Sequence, residues 1–367
     1  MAERVRIGII GCGGIANGKH MPALAKIEGA RMVAFCDLLP ERAHAAAAKY
    51  GAPDAKTATD YRRLLDDPAI DVVHVCTPND SHAEIAVAAL EAGKHVMCEK
   101  PMAKTAAEAA TMLAAARRTG RKLTIGYQNR FRPDSEHLQQ VCRRGDLGEI
   151  YFAKAHAVRR RGVPTWGVFL DEERQGGGPL IDIGTHALDL TLWMMDNYRP
   201  KSVVGTAYHK LSRKENAANP WGPWDPKKFT VEDSAFGFIV MEDGATVVLE
   251  SSWALNTLQT GAARCTLCGT NGGADMADGL RINGEDFGKL FVHQVQLSNK
   301  GADFFDSKAE KAGDREARAW IEALRNDRDP VVRPEQAFVV TQILDAIYQS
   351  ARTGETVYFD RPIDGRG

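Results

Sequence analysis

Six residues near the start of the chain, Gly11-Cys12-Gly13-Gly14-Ile15-Ala16, constrain the fold more than any other feature. The apolar run Val5–Ile10 precedes them and reads as a strand, and a helix-like stretch follows. A strand that ends in glycines and turns directly into a helix opens a βαβ unit. Gly11 permits the tight turn. Gly13 lets backbone N–H groups close on a pyrophosphate, and Ala16 is small enough for the helix to pack against the strand. The helix N-terminus favours the anion. Gly14 and Ile15 complete the candidate cradle. Asp37 ends the next strand-like run, Arg31–Cys36. It lies about twenty residues on, where a carboxylate accepts both hydroxyls of an adenosine ribose. Such a carboxylate repels a 2′-phosphate, so the expected cofactor is NAD rather than NADP.

The alternation continues. Pro40 opens a helix over Glu41–Tyr50, and Ile70–Cys76 reads as a buried strand. His82–Ala92 reads as a helix, Lys94–Cys98 as a strand, Thr105–Arg118 as an Ala-rich helix and Leu123–Tyr127 as a last strand. β-branched runs separated by helices predict a parallel, doubly wound α/β sheet of the Rossmann kind. After residue 128 the pattern changes. Glu149–Ala157, Ser202–Tyr208, Ser234–Met241, Thr246–Trp253 and Ala262–Gly269 read as strands, several of them joined without helices. That predicts an α+β part with an open, mostly antiparallel sheet. The expected division is residues 1–128 for nucleotide binding and 129–367 for substrate binding and oligomerisation, with a late amphipathic helix over Glu335–Arg352. The irregular stretch Leu211–Thr230 contains Pro220-Trp221-Gly222-Pro223-Trp224-Asp225-Pro226 and reads as a lid, a substrate rim or a subunit contact.

Composition narrows the function. With 47 Lys+Arg against 48 Asp+Glu in 367 residues, the net charge is −1. A nucleic-acid binder carries a basic excess, and Arg159-Arg160-Arg161 is too short to supply one. No run reaches the roughly 18 apolar residues of a membrane helix. Met1-Ala2-Glu3-Arg4 leads straight into a strand without a signal-peptide pattern, so a cytoplasmic location is expected. The 7 cysteines are odd in number and scattered, which is no disulfide framework. Cys265-Thr-Leu-Cys268 has no second ligand pair, and on a strand its two thiols face opposite sides, so no metal is expected there.

Three motifs fall at the carboxyl ends of the predicted parallel strands, where a nucleotide site in such a sheet lies. They are Thr77-Pro78-Asn79 with His82 one turn on, Glu99-Lys100-Pro101, and Tyr127-Gln128-Asn129-Arg130. A half-buried Lys100 there can hydrogen-bond a substrate oxygen and stabilise developing negative charge. Further on, Gly176-Gly177-Gly178-Pro179 breaks the chain before a helical pattern over Leu180–Met195. Asp182, His186 and Asp189 share one face of that helix at i, i+4 and i+7. His186 titrates near neutrality and can take a hydroxyl proton, while Asp182 can orient it or bind substrate. A capping aspartate and a structural histidine is the simpler alternative. A metal held by Asp182, His186 and Asp189 lacks an evident further ligand.

Together these motifs resemble the glucose–fructose oxidoreductase and inositol dehydrogenase family, Gfo/Idh/MocA. The resemblance covers nearly the whole chain, from the glycine loop and Asp37 through Thr77-Pro78-Asn79…His82 and Glu99-Lys100-Pro101 to the Gly-Gly-Gly…Asp182…His186…Asp189 segment. It implies NAD-dependent oxidation of a secondary hydroxyl on a sugar, glycoside or polyol, or reduction of the ketone, possibly at C3. It implies that Lys100 binds the reacting oxygen, that His186 is the acid/base and that Asp182 binds substrate. Thr77, Asn79, His82 and Lys100 would serve the cofactor, with Glu99 and Gln128 lining its nicotinamide side. Arg160-Arg161-Gly162-Val163-Pro164-Thr165-Trp166-Gly167 is similar to a sugar-dehydrogenase subgroup in which the Trp region touches cofactor, which carries Trp166 over as a cofactor residue. A homo-oligomer, dimer or tetramer, formed through the second sheet is also implied. A cyclitol dehydrogenase, a glycosidase that oxidises transiently and an NAD-sensing regulator are the competing readings.

Overall fold

The computed structural model describes residues 4–297 and 310–359. The chain divides into two compact units. The first runs to Phe131 and takes back a later segment ending at Phe338, and the second begins at Arg132 and resumes at Val339.

The first unit holds six strands: β1 (Val5–Ile10), β2 (Ala30–Cys36), β3 (Lys56–Ala58), β4 (Val72–Val75), β5 (His95–Cys98) and β6 (Leu123–Ile125). They lie in the order β3-β2-β1-β4-β5-β6, and every pair is parallel. All four residues of β4 and all three of β6 are buried, as strands covered on both faces must be. The helix Ala106–Thr119 shows how local chemistry fixes an element. Thr105 Oγ1 accepts the amide of Glu108 at 3.2 Å, and Glu108 reaches back to the amide of Lys104. Gly120 ends it with φ +65°.

The helix Ala312–Arg325 also belongs to this unit. Its Ala317, Trp320 and Ile321 are buried in one core cluster with Ile7, Ile9, Phe35 and Met97. The expected cut at residue 128 therefore differs from the observed division, because an amphipathic helix from late in the chain supplies one wall of the first core.

The second unit holds β7 (Ile150–Val158), β8 (Pro200–Tyr208), β9 (Ser234–Met241), β10 (Thr246–Ser252), β11 (Gly261–Gly269), β12 (Gly272–Asp275), β13 (Arg281–Asp286), β14 (Lys289–Gln294) and β15 (Val357–Tyr358). Their order is β14-β13-β12-β11-β7-β10-β9-β8-β15. Only the central pair, β7 and β10, is parallel. The sheet has one dry face: Val203, Ile239, Leu249 and Ala155 point inward, while Val204 and Phe238 stand exposed on the other. The helix Thr185–Met195, nearly all of it buried, packs against β7 and β11.

Candidate active site

In the first unit the glycine loop has the shape its sequence requires. Gly11 has φ +88°, and a Cβ there would sit 2.7 Å from the carbonyl of Cys76. Only glycine fits between the two strand ends. At Gly13 and Gly14 the situation is reversed, because a Cβ at either would meet nothing within 4 Å. Their backbone faces open space, beside an exposed Ile15. The turn then enters a π-helical stretch, Ala16–His20, that runs on into the α-helix Met21–Leu24. Asp37 closes the cradle. Its Oδ2 accepts the amide of Cys12 at 2.8 Å and its Oδ1 the amide of Leu39 at 2.9 Å. Each oxygen keeps a second lone pair for a ribose hydroxyl. An open glycine backbone beside a fixed carboxylate fits a dinucleotide. Cys12 is no thiolate here, since burial pushes its pKa up to about 12.

The strand-end motifs are tied to one another by buried side chains. His82 is fully buried, with Nδ1 2.8 Å from the carbonyl of Pro101 and Nε2 3.0 Å from that of Thr77. Burial lowers its pKa, so the neutral ring donates to one of these two carbonyls and packs between the two turns. Glu99 is likewise held by protein neighbours. Its buried carboxylate pairs with Lys19 and lies 2.7 Å from His20 Nε2, and it accepts the amide of Lys100 at 3.2 Å. Burial opposes its ionisation, but Lys19 and His20 hold its carboxyl well below the usual range. Lys19 is the hub, bonding Glu99, Glu316 at 3.1 Å and the Gln128 amide oxygen at 2.8 Å. Burial works against its charge and is outweighed by Glu316 and Glu99, so it stays protonated. Lys100 itself is half-buried, on a turn with a cis Lys100–Pro101 bond. Thr77 Oγ1 receives the Ser81 hydroxyl at 2.8 Å, and Asn79 is buried in the short turn before the helix His82–Glu91.

In the second unit Asp182 and His186 lie on a π-helical turn, Leu180–Gly184, that continues into Thr185–Met195. Both are buried, as is Asp189. The glycines before them make way for protein rather than ligand. A Cβ at Gly178 would overlap the Glu232 carbonyl oxygen, and one at Gly177 the Tyr348 hydroxyl. Glu232 Oε2 accepts the Gly178 amide at 2.7 Å and Oε1 accepts the Leu180 amide at 3.1 Å, so this buried carboxylate caps the turn. Tyr348 donates to Oε1 at 2.9 Å. Burial, only partly offset by these donors, raises the Glu232 pKa to about 7. On the far side, the Trp253 indole N–H donates to Asp182 Oδ2 at 3.0 Å. Arg159 feels the Asp182 charge, although burial lowers its own pKa. Trp166 is half-exposed, its ring 5.1 Å from that of Trp221.

Sequence reasoning did not pick out Glu232, Tyr348, Trp253, Lys19 or this role of Arg159. A chain break as dense as Gly-Gly-Gly-Pro was the one available signal that something bulky must approach. Among the described residues no group of three or more His, Cys, Asp or Glu could hold a metal ion, and no helix is long and apolar enough to cross a membrane. Cys265 is buried and Cys268 half-buried on β11, and all seven cysteines are free.

Comparison with known proteins agrees with this architecture. Residues 5–127 match the GFO_IDH_MocA family, described as an oxidoreductase family with an NAD-binding Rossmann fold, and residues 135–275 match the GFO/IDH/MocA C-terminal domain. The D-glucoside 3-dehydrogenase of Escherichia coli (strain K12) is 37% identical over 357 residues, covering 96% of this chain and 97% of that protein. The inositol 2-dehydrogenase of Salmonella typhimurium (strain LT2) is 31% identical over 194 residues, 52% of this chain and 55% of that one. The solved aldose-aldose oxidoreductase from Caulobacter crescentus superposes with a TM-score of 0.77 at 27% identity, over 97% of this chain and 100% of the other. Two family domains in the order the motifs predict, with an end-to-end relative among the dehydrogenases, establish that this chain belongs to the Gfo/Idh/MocA family of oxidoreductases with an NAD-binding Rossmann domain.

Proposed function

We propose that the protein is an NAD-dependent dehydrogenase that oxidises a secondary hydroxyl of a D-glucoside or related sugar, at C3. The observation that carries this reading is the likeness of nearly the whole chain to a D-glucoside 3-dehydrogenase. Gly11, Gly13, Gly14 and Asp37 would hold the NAD, which supplies the acceptor for a hydride. Lys100 binds the oxygen of the reacting carbon, its ammonium offsetting the negative charge that develops there. The His186 imidazole takes the hydroxyl proton. Asp182, held by Trp253, binds and orients the sugar. The proton thus goes to His186, and the two electrons leave with the hydride. The near-neutral chain suits an uncharged substrate, since no basic field is needed to gather it.

The same reading includes a cytoplasmic enzyme, in keeping with seven free cysteines, that assembles through its second sheet. The outward row Val204, Phe238 and Val248, on the adjacent strands β8, β9 and β10, is the apolar stripe available for that contact. Purified protein incubated with NAD and a panel of D-glucosides, free sugars and inositols tests the reading. NADH and a 3-keto glycoside are expected. Turnover of inositols alone would replace the substrate, and aglycone release without net NADH would replace the reaction with redox-assisted glycoside cleavage.

A further inference from the structure

The Pro/Trp-rich loop within residues 211–230 is not loose. Asn219 clasps Val163 like a strand partner, accepting its amide at 3.0 Å and donating to its carbonyl at 2.9 Å. Thr165 donates to the Trp221 carbonyl at 2.7 Å. Trp224 is buried and its N–H bonds the Ser212 carbonyl at 2.9 Å, so it roots the loop. Trp221 is displayed instead. It is 44% exposed, stands edge-to-face with the 53%-exposed Trp166, and has the Arg159 guanidinium 5.3 Å from its ring centroid. From Trp166 the aromatic contacts run through Phe169 at 5.9 Å to Trp253 at 6.3 Å, and Trp253 holds Asp182. A wall of rings therefore leads from the substrate carboxylate outward to two indoles that the fold orders but does not cover.

We infer that Trp221, supported by Trp166 and Arg159, is a subsite for the aglycone of the glycoside, the part of the molecule beyond the ring being oxidised. The inference rests on the sugar-dehydrogenase reading above. A flat aglycone stacks on an indole face, and the Arg159 guanidinium, which lies over the Trp221 ring, supplies donors for its oxygens. A protein partner fits this place less well. Arg213, Lys214, Glu215, Lys227 and Lys228 stand exposed along the same loop, and lysine and glutamate are depleted from interface cores. Two rings also fall far short of the roughly 800 Å² per partner that a stable protein interface covers.

The test compares phenyl and methyl D-glucosides of one anomeric configuration. The ratio of their kcat/KM values is measured for wild type, Trp221→Ala and Trp221→Phe, and binding of both glucosides to NAD-loaded protein is measured by calorimetry. The phenyl preference should fall about five- to tenfold in Trp221→Ala, mainly through KM, and stay within about twofold of wild type in Trp221→Phe. An unchanged ratio, or equal losses on both glucosides, would overturn the subsite, as would a Trp221→Ala protein that changes oligomeric state in sedimentation. If wild type oxidises neither glucoside, the dehydrogenase reading fails separately. The subsite then stands if calorimetry still shows a Trp221-dependent phenyl preference and falls if it does not.

Discussion

Two segments of this protein share a sequence signature, a run of glycines followed by a π-helical turn, and use it for opposite reasons. In Gly11–Ala16 the backbone at Gly13 and Gly14 faces open space. In Gly176–Gly184 the space is filled by the Glu232 carbonyl, the Tyr348 hydroxyl and Ser251, whose Oγ is 2.9 Å from where a Cβ of Gly184 would lie. The first glycines leave room for a ligand, and the second leave room for protein that fixes Asp182 and His186. π-Turns are uncommon and concentrate at functional sites, and both here sit directly beside candidate site residues. A glycine run therefore marks close approach without saying what approaches.

The largest effects should come from the proposed reacting side chains. Lys100→Met and His186→Ala are each expected to lower kcat about 10²–10⁴-fold while NAD affinity changes little, measured by steady-state rates and NAD titration. A loss confined to one of them would remove the other from the proposed reaction.

The next effect concerns how the second turn is held. The Glu232 carboxyl binds its proton more tightly folded, at about 7, than at its ordinary value of 4.5. Stability from this group is therefore fullest below about pH 4.5, falls as pH rises towards 7, and is level above, a span on the order of 3 kcal/mol. Glu232→Gln should remove that slope, so the difference between variant and wild-type unfolding free energies should change with pH in this window. Parallel curves would mean that the carboxyl titrates elsewhere.

The two sets of glycines separate in a smaller pair of measurements. Gly178→Ala should destabilise by about 1–3 kcal/mol in denaturant unfolding, because its Cβ meets a backbone oxygen that cannot swing away. Gly13→Ala should leave unfolding nearly unchanged yet weaken NAD about tenfold, because its methyl occupies the ligand's space. Equal thermal shifts in the two variants would erase the distinction.

Most of the fold was legible because burial writes itself into composition. Val5–Ile10 and Ser234–Met241 are strands with the bounds that their apolar runs suggest. What escaped was polar, short or distant. Lys56–Ala58 is a three-residue exposed edge. The hairpin of β13 and β14 turns through Phe287 and Gly288, both at positive φ, with strands too exposed to show alternation. The helix Ala312–Arg325 has a clear apolar face, but no sequence pattern says which core receives it. At the site, the motif residues were visible and their supports were not. Glu232 lies 54 positions from Gly178 and Trp253 lies 71 from Asp182, so only the fold brings them together. His82 and Glu99 are legible by their place at strand ends, while the side chains and carbonyls that hold them are not.

The most direct test of the central claim follows a single hydrogen. Methyl D-glucoside carrying deuterium at C3, and separately at C2, is incubated with the protein and NAD, and the reduced cofactor is examined by mass spectrometry. Deuterium is expected in the NADH from the C3-labelled glucoside only, with a primary isotope effect on the rate of hydride transfer. Deuterium arriving from C2, or NADH formed without label from either substrate, would contradict it.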